Sequence, residues 1–264
     1  MQTAAVFLFG ALVFSAVLMS ALWLAAKRIN KASIVDPAWA FLIAGLALFY
    51  AVAASGDPAR RFAAAFMGAA WGTRLGFFIL FFRVAGKPED PRYRELLASW
   101  GENRDLKLYR FFMLQALAAA VFSIPFLIVS SNQRPGLTWL EWTSLGLWAA
   151  AFVGETLADL QLEAFKAVPA NKGLTCRDGL WKYSRHPNYF FEFMIWCSAA
   201  LFSLSSPLGF AALLCPALIF HFLFNVTGIP KAEEQALRSR GEDYRDYQRR
   251  TSKFFPWFPK EGAL

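Results

Sequence analysis

The sequence predicts an all-α polytopic membrane protein of about seven transmembrane helices, its N-terminus outside and its C-terminus cytoplasmic, folded as one domain over 1–264. Three observations carry this expectation. Of the 264 residues, 57% are hydrophobic and 17% aromatic, more than a soluble domain carries. Apolar stretches near 20 residues long, enough to cross a hydrocarbon core of about 30 Å, recur along the chain. The loops between them alternate between basic and nearly charge-free.

Taken in order, the expected spans lie near 3–26, 35–54, 62–82, 111–130, 139–162, 187–204 and 208–228, with a cytoplasmic tail over 229–264. The first stretch lacks a basic start and a small-residue cleavage site, and Lys27 and Arg28 follow it, so it is expected to be retained rather than removed as a signal peptide. Of the 27 Lys and Arg, 23 fall in alternate loops on one side and three on the other, with Arg74 inside a span. Basic loops stay cytoplasmic, which sets the orientation. The same rule accounts for the net charge of +8, so a nucleic-acid partner is not expected. In the long loop before the fourth span, Asp90 and Pro91 suit the start of a short helix. There Tyr93, Leu96, Leu97 and Trp100 form an apolar stripe suited to the headgroup plane. The charges of EDYRDYQRR in the tail read as a solvated face, and Cys176, Cys197 and Cys215 as packing residues.

Charged groups inside spans are costly and therefore mark candidate sites. With this topology Asp36, Arg74, Glu155, Asp159, Asn188, Glu192, His221 and Asn225 all fall toward the cytoplasmic leaflet. Glu155 with Asp159, Asn188 with Glu192, and His221 with Asn225 are i,i+4 pairs, each on one helix face. Lys166, Lys172, Arg177, Lys182 and Arg185 surround them in sequence. Acceptors that suit amide and ribose groups, ringed by cations that suit phosphates, point to a dinucleotide. The plainer readings are a buried ion pair of Arg74 with Asp159 or Glu155, and basic residues that serve only to set topology. There is no G-x-G-x-x-G after a strand, no G-x-x-x-x-G-K-[ST], no H-E-x-x-H and no G-x-S-x-G. A Rossmann or P-loop domain, a zincin and a serine hydrolase of the α/β type are thereby excluded.

The segment GLWKYSRHPNYFFEFMIW, Gly179 to Trp196, resembles the C-terminal region of the steroid 5α-reductase family, most closely its short bacterial members of unassigned substrate. IVDPAW, EDPRY, GETLADLQ, NVTGIPKAEEQ and EDYRDYQRRTSKFFPW extend the resemblance over most of the chain. It implies a seven-helix enzyme of a bacterial inner membrane that binds NADPH on its cytoplasmic side and reduces a carbon–carbon double bond conjugated to a carbonyl. By this resemblance Asn188 and Glu192 look like ligands of the nicotinamide end and Asp159 like an acidic residue of the cofactor cavity. Arg185, His186 and Tyr189 share that stretch. Glu155 and Arg74 join the set as intramembrane charges, and Lys166, Arg177 and Tyr183 as electrostatic neighbours. The catalytic Glu and Tyr of the steroid reductases correspond to Asp36, in VDPAW, and Trp71, in WGTR. An indole donates a hydrogen bond and supplies no proton, which departs from the family pattern, as does Phe191 where many relatives have Gly.

Two further readings stand beside the reductase. Membrane isoprenylcysteine and phospholipid methyltransferases, which use S-adenosylmethionine, also carry R-H-P-x-Y and a later E-E pair, here Arg185 to Tyr189 and Glu233 with Glu234. A lipid- or sterol-binding protein that kept the fold without the chemistry is the other. In each case the expected partners are a lipophilic small molecule from the bilayer and membrane lipids, with no metal and no protein partner.

Overall fold

The computed structural model describes residues 2–260; Met1 and the last four tail positions lie outside the described residues. The described residues form helices and turns with no strand. Five helical segments are long and apolar enough to cross a membrane: Ala4–Ile29, Ala32–Ala53, Pro58–Val84, Gly101–Ser130 and Gly209–Arg240. The chain is an integral membrane protein. The other two expected spans fall on helices outside this set: 187–204 on a helix of 17 residues, Pro187–Ser203, and 139–162 on Trp139–Ala167, which carries Glu141, Glu155 and Asp159. The chain divides into two compact units, Met1–Thr138 with Ser203–Ala211, and Trp139–Phe202 with Ala212–Leu264.

The first unit holds α1 (Gln2–Ile29), α2 (Val35–Ala53), α3 (Pro58–Ile79), α4 (Pro91–Ala98), α5 (Arg104–Phe122) and α6 (Ile124–Ser130). In lipid the approach of two helices is set by small residues at their contact, and α2 and α3 meet on such a seam. A Cβ at Gly68 would lie 2.4 Å from the Ala47 Cβ, and one at Gly72 would lie 2.5 Å from the Ala40 carbonyl oxygen. The turn between them is fixed by Asp57, whose side chain accepts from the Ala59 and Arg60 amides ahead of Pro58. The Gly56 and Asp57 amides donate to the Ser130 and Asn132 carbonyls, tying this turn to the end of α6. On the opposite edge Glu89 accepts the Ala32 and Ser33 amides, and Lys31 donates to the Val84 and Lys87 carbonyls. The short helix expected after Asp90 is α4: Asp90 accepts the Arg92 amide at 2.9 Å, and Tyr93 turns inward.

The second unit holds α7 (Trp139–Ala167), α8 (Pro187–Ser203), α9 (Leu214–His221), α10 (Ile229–Arg240) and α11 (Glu242–Arg250). A π-helical turn, Phe222–Val226, ends α9. The departure at Phe191 is met across the helix pair: its ring fills the space over Gly154, where a Cβ would lie 2.5 Å from the ring. A small residue is still present at this crossing, but on α7. The loop before α8 is folded back on α7 by the Trp181 indole, which donates to the Ala158 carbonyl at 2.9 Å, and by the Leu180 amide, which donates to Gln161. Beyond α11 the chain runs as a strap. Its Phe254 is buried among Phe190, Phe193, Phe220 and Phe224 of α8, α9 and the π turn.

Enlarging the glycines of the α2–α3 seam should therefore cost stability. Gly72→Val is expected to destabilise by about 1–3 kcal/mol through overpacking, read as a lower melting temperature of detergent-purified protein. Gly45→Ala on the same helix pair, with nothing within 4 Å of its added Cβ, should leave the melting temperature unchanged or raise it.

Candidate functional site

In the second unit, Asp159 of α7 is buried and accepts a hydrogen bond from the Asn188 amide group at 3.1 Å. Asn188 sits in the first turn of α8, and its Oδ1 also takes the Tyr189 backbone amide. The amide side chain is thus held with its donor side on α7 and its acceptor side on its own helix. Glu155 is buried one turn before Asp159. Glu192, one turn past Asn188, accepts from the Trp196 indole at 2.8 Å. The expected i,i+4 pairs of α7 and α8 therefore exist, and one member of each meets the other.

Below this pair the last turns of α7 border a cavity of about 550 Å³. Leu162, Phe165, Lys166, Lys172, Ser239 and Arg240 are among its lining residues. Lys166 pairs with Glu163 at 2.7 Å, and the Arg240 guanidinium lies over the Tyr244 ring. Three cations around a half-open space with an apolar floor make a cradle suited to phosphate oxygens and an adjoining ring. The Cys176 thiol also lines it, and burial pushes its pKa up, so it stays protonated and unreactive.

The other expected cofactor residues of this unit are engaged elsewhere. Arg185 donates to Glu233 at 2.7 Å and to the Gln248 and Thr251 carbonyls. His186 lies 3.3 Å from the same carboxylate oxygen and stacks on Tyr189 at 5.5 Å. Gln248 donates to the other Glu233 oxygen, and the Tyr244 hydroxyl reaches the first at 3.5 Å. Arg177 is clamped by Asp243 and Asp246, each at 2.8 Å. Tyr183 gives its carbonyl to the Trp257 amide and its ring edge to Phe258. These groups build the tail onto the loop before α8, and EDYRDYQRR is a clamp rather than a solvated face. His221 and Asn225 are exposed and contact each other at 3.4 Å.

In the first unit, Asp36 opens α2 and accepts from the Tyr93 hydroxyl, with the Arg92 guanidinium at 3.5 Å. Burial and the Asp36 charge push the Tyr93 hydroxyl well above its ordinary pKa, so it remains a donor. Trp71 is buried and stands edge-on to Trp39 at 6.0 Å, and Trp39 in turn meets Phe122. The Arg74 guanidinium lies over the Phe78 ring. A tyrosine beside the acid is thus present, but it comes from α4. Sequence reasoning placed Tyr93 only in an apolar stripe, and nothing in its spacing announces a partner 57 positions away.

This geometry can be set beside known proteins. The model of a family described as protein of unknown function (DUF1295), which is steroid 5-alpha-reductase-like, matches residues 22–251. The chain belongs to the DUF1295 family. The match takes in Asp36 and Tyr93, the Asp159–Asn188 pair, and Arg185 with Glu233. An uncharacterized protein of Schizosaccharomyces pombe is 27% identical over 281 residues, covering 93% of this chain and 78% of the yeast protein. No solved structure matches.

Two outcomes test the reading of Glu233 as a half-buried hub. Glu233→Gln leaves Arg185 without its counter-charge and should destabilise by about 2–3 kcal/mol, seen as a lower melting temperature. His186 adds a pH dependence: burial holds its imidazole below the ordinary value of 6.5 despite the pull of Glu233. A depressed histidine stabilises fully above its unfolded pKa and loses that contribution as pH falls through it toward the folded value. The melting temperature should therefore drop between pH 7 and 5, and drop less in His186→Gln.

Proposed function

We propose that the chain is an NADPH-dependent membrane reductase of a carbon–carbon double bond conjugated to a carbonyl, acting on a steroid-like or other lipid. The observation that carries the reading is the buried Asp159–Asn188 hydrogen bond on a helix whose last turns border a cavity with Lys166, Lys172 and Arg240 in its lining. Membership of a steroid 5-alpha-reductase-like family supports it. The residues fit the cofactor: an acid–amide pair to orient a carboxamide, and Lys166, Lys172 and Arg240 to hold phosphates.

When bound, reduced nicotinamide would supply a hydride to the β-carbon of the double bond. The protein's share is positioning and charge. Asn188, fixed by Asp159, orients the carboxamide. Lys166, Lys172 and Arg240 neutralise phosphate charge as point donors and a fork. Trp71 packs edge-on against Trp39. Arg185, His186, Arg177 and Tyr183 hold the architecture around the site. Helices α7 and α8 would add two crossings to the five apolar segments, giving seven, with the basic loops and the tail in the cytoplasm of a bacterial cell.

Thermal-shift titration of detergent-purified protein tests this. NADPH should raise the melting temperature by mass action. Asn188→Ala should abolish the shift, and Lys172→Glu should weaken binding at least about tenfold, as loss of a charged contact requires. Stabilisation by S-adenosylmethionine and not by NADPH would sink the proposal in favour of a methyltransferase.

A further inference from the structure

Thr251 to Lys260, TSKFFPWFPK, contains two lysines and no acid, and it lies past the last apolar segment. It is nevertheless pinned where α8 begins. The Arg185 amide donates to the Ser252 carbonyl at 2.8 Å, the Ser184 hydroxyl to the Phe254 carbonyl at 2.8 Å, and the Trp257 amide to the Tyr183 carbonyl at 2.9 Å. Phe254 turns inward onto α8 and the π turn, and so fixes the depth of the strap against the first turns of an apolar helix.

The neighbouring aromatics face the other way. Phe255 is 61% exposed, Trp257 71% and Phe258 74%. Exposed rings of this size need a reason outside a membrane span. Beside them Lys253 and Lys260 are exposed, and the Lys253 ammonium lies over the Phe224 ring. Pro256 and Pro259 bring no amide hydrogen, and the amides at 257 and 260 are spent on the Tyr183 and Arg250 carbonyls.

We propose that this strap is an interfacial anchor: Phe255, Trp257 and Phe258 seat among the glycerol and upper acyl groups of an anionic bilayer, while Lys253 and Lys260 meet lipid phosphates. Aromatic rings favour that depth, and basic residues beside them favour an anionic leaflet. The anchor holds the tail, whose α11 carboxylates clamp Arg177, at the level of the α8 N-terminus.

Spin-label accessibility of the full-length protein in vesicles tests it. A nitroxide on Phe258→Cys should be several-fold more accessible to oxygen than to an aqueous nickel chelate in vesicles containing phosphatidylglycerol, whereas one on Arg245→Cys, exposed on α11, should show the reverse. In pure phosphatidylcholine, or with Lys253 and Lys260 both changed to Glu, the label at 258 should shift toward water. Protein without the added cysteine gives the background from the native thiols, and a label on Phe255→Cys repeats the measurement at a second site. A label at 258 open to nickel in every vesicle would overturn the proposal, as would one shielded from both reagents, which would mean that protein covers the strap. Depth unchanged by lipid charge would overturn the anionic preference.

Discussion

Glu233 accepts from Arg185 and Gln248, receives the Tyr244 hydroxyl and lies against His186, so four side chains from two segments of the second unit converge on one carboxylate of α10. A guanidinium and a carboxylate withdrawn from water repay their desolvation only when their remaining hydrogen-bonding positions are filled. Here Arg185 spends Nη1 on the Gln248 and Thr251 carbonyls, and both Glu233 oxygens are taken. That closure forces α10, α11 and the loop before α8 to fold together. The rest of the unit follows, because the same loop places Asn188 at the start of α8 and the same tail places Arg240 on the cavity.

The electrostatics of the second unit accordingly separate into two kinds of cation. Arg177 and Arg185 are forks held by carboxylates, Asp243 with Asp246 in one case and Glu233 in the other. Bidentate geometry is used where structure must be fixed. The lysines that face the cavity are exposed point charges on flexible stems, Lys166 with only the neighbouring Glu163 of its own helix beside it, suited to an anion that comes and goes. A sequence count of basic residues before α8 cannot separate these kinds, since the partner carboxylates lie 48 to 69 positions on.

What was legible in the sequence follows from locality. The Asp90–Pro91 helix start and the acid–amide positions at Asp159 and Asn188 rest on spacing within one or two turns, and they stand in the structure. Of the seven stretches read from length and hydropathy, five fall on helical segments long and apolar enough to cross a membrane. Tertiary pairing was not legible. The carboxylate opposite Arg185, the acids opposite Arg177 and the hydroxyl opposite Asp36 each join segments far apart, with no periodicity linking them. Phe191 shows the same limit from the other side: read alone it departs from the family, but with Gly154 facing it the crossing keeps one small residue.

The R-H-P-x-Y segment and the Glu233–Glu234 pair were what the chain has in common with methyltransferases. In this structure Arg185 and His186 answer to Glu233, and Glu234 lies on the surface with Arg238 at 2.6 Å and Lys231 at 3.6 Å. One acid is consumed in packing and the other in solvated i,i+3 and i,i+4 pairs that contribute little. Both halves of the likeness are thus accounted for by folding the tail onto the helix that precedes it, a task any protein of this architecture must perform whatever its chemistry. A motif that serves the fold carries no information about the cofactor. The groups left to decide it are Asp159, Asn188 and the cations of the cavity.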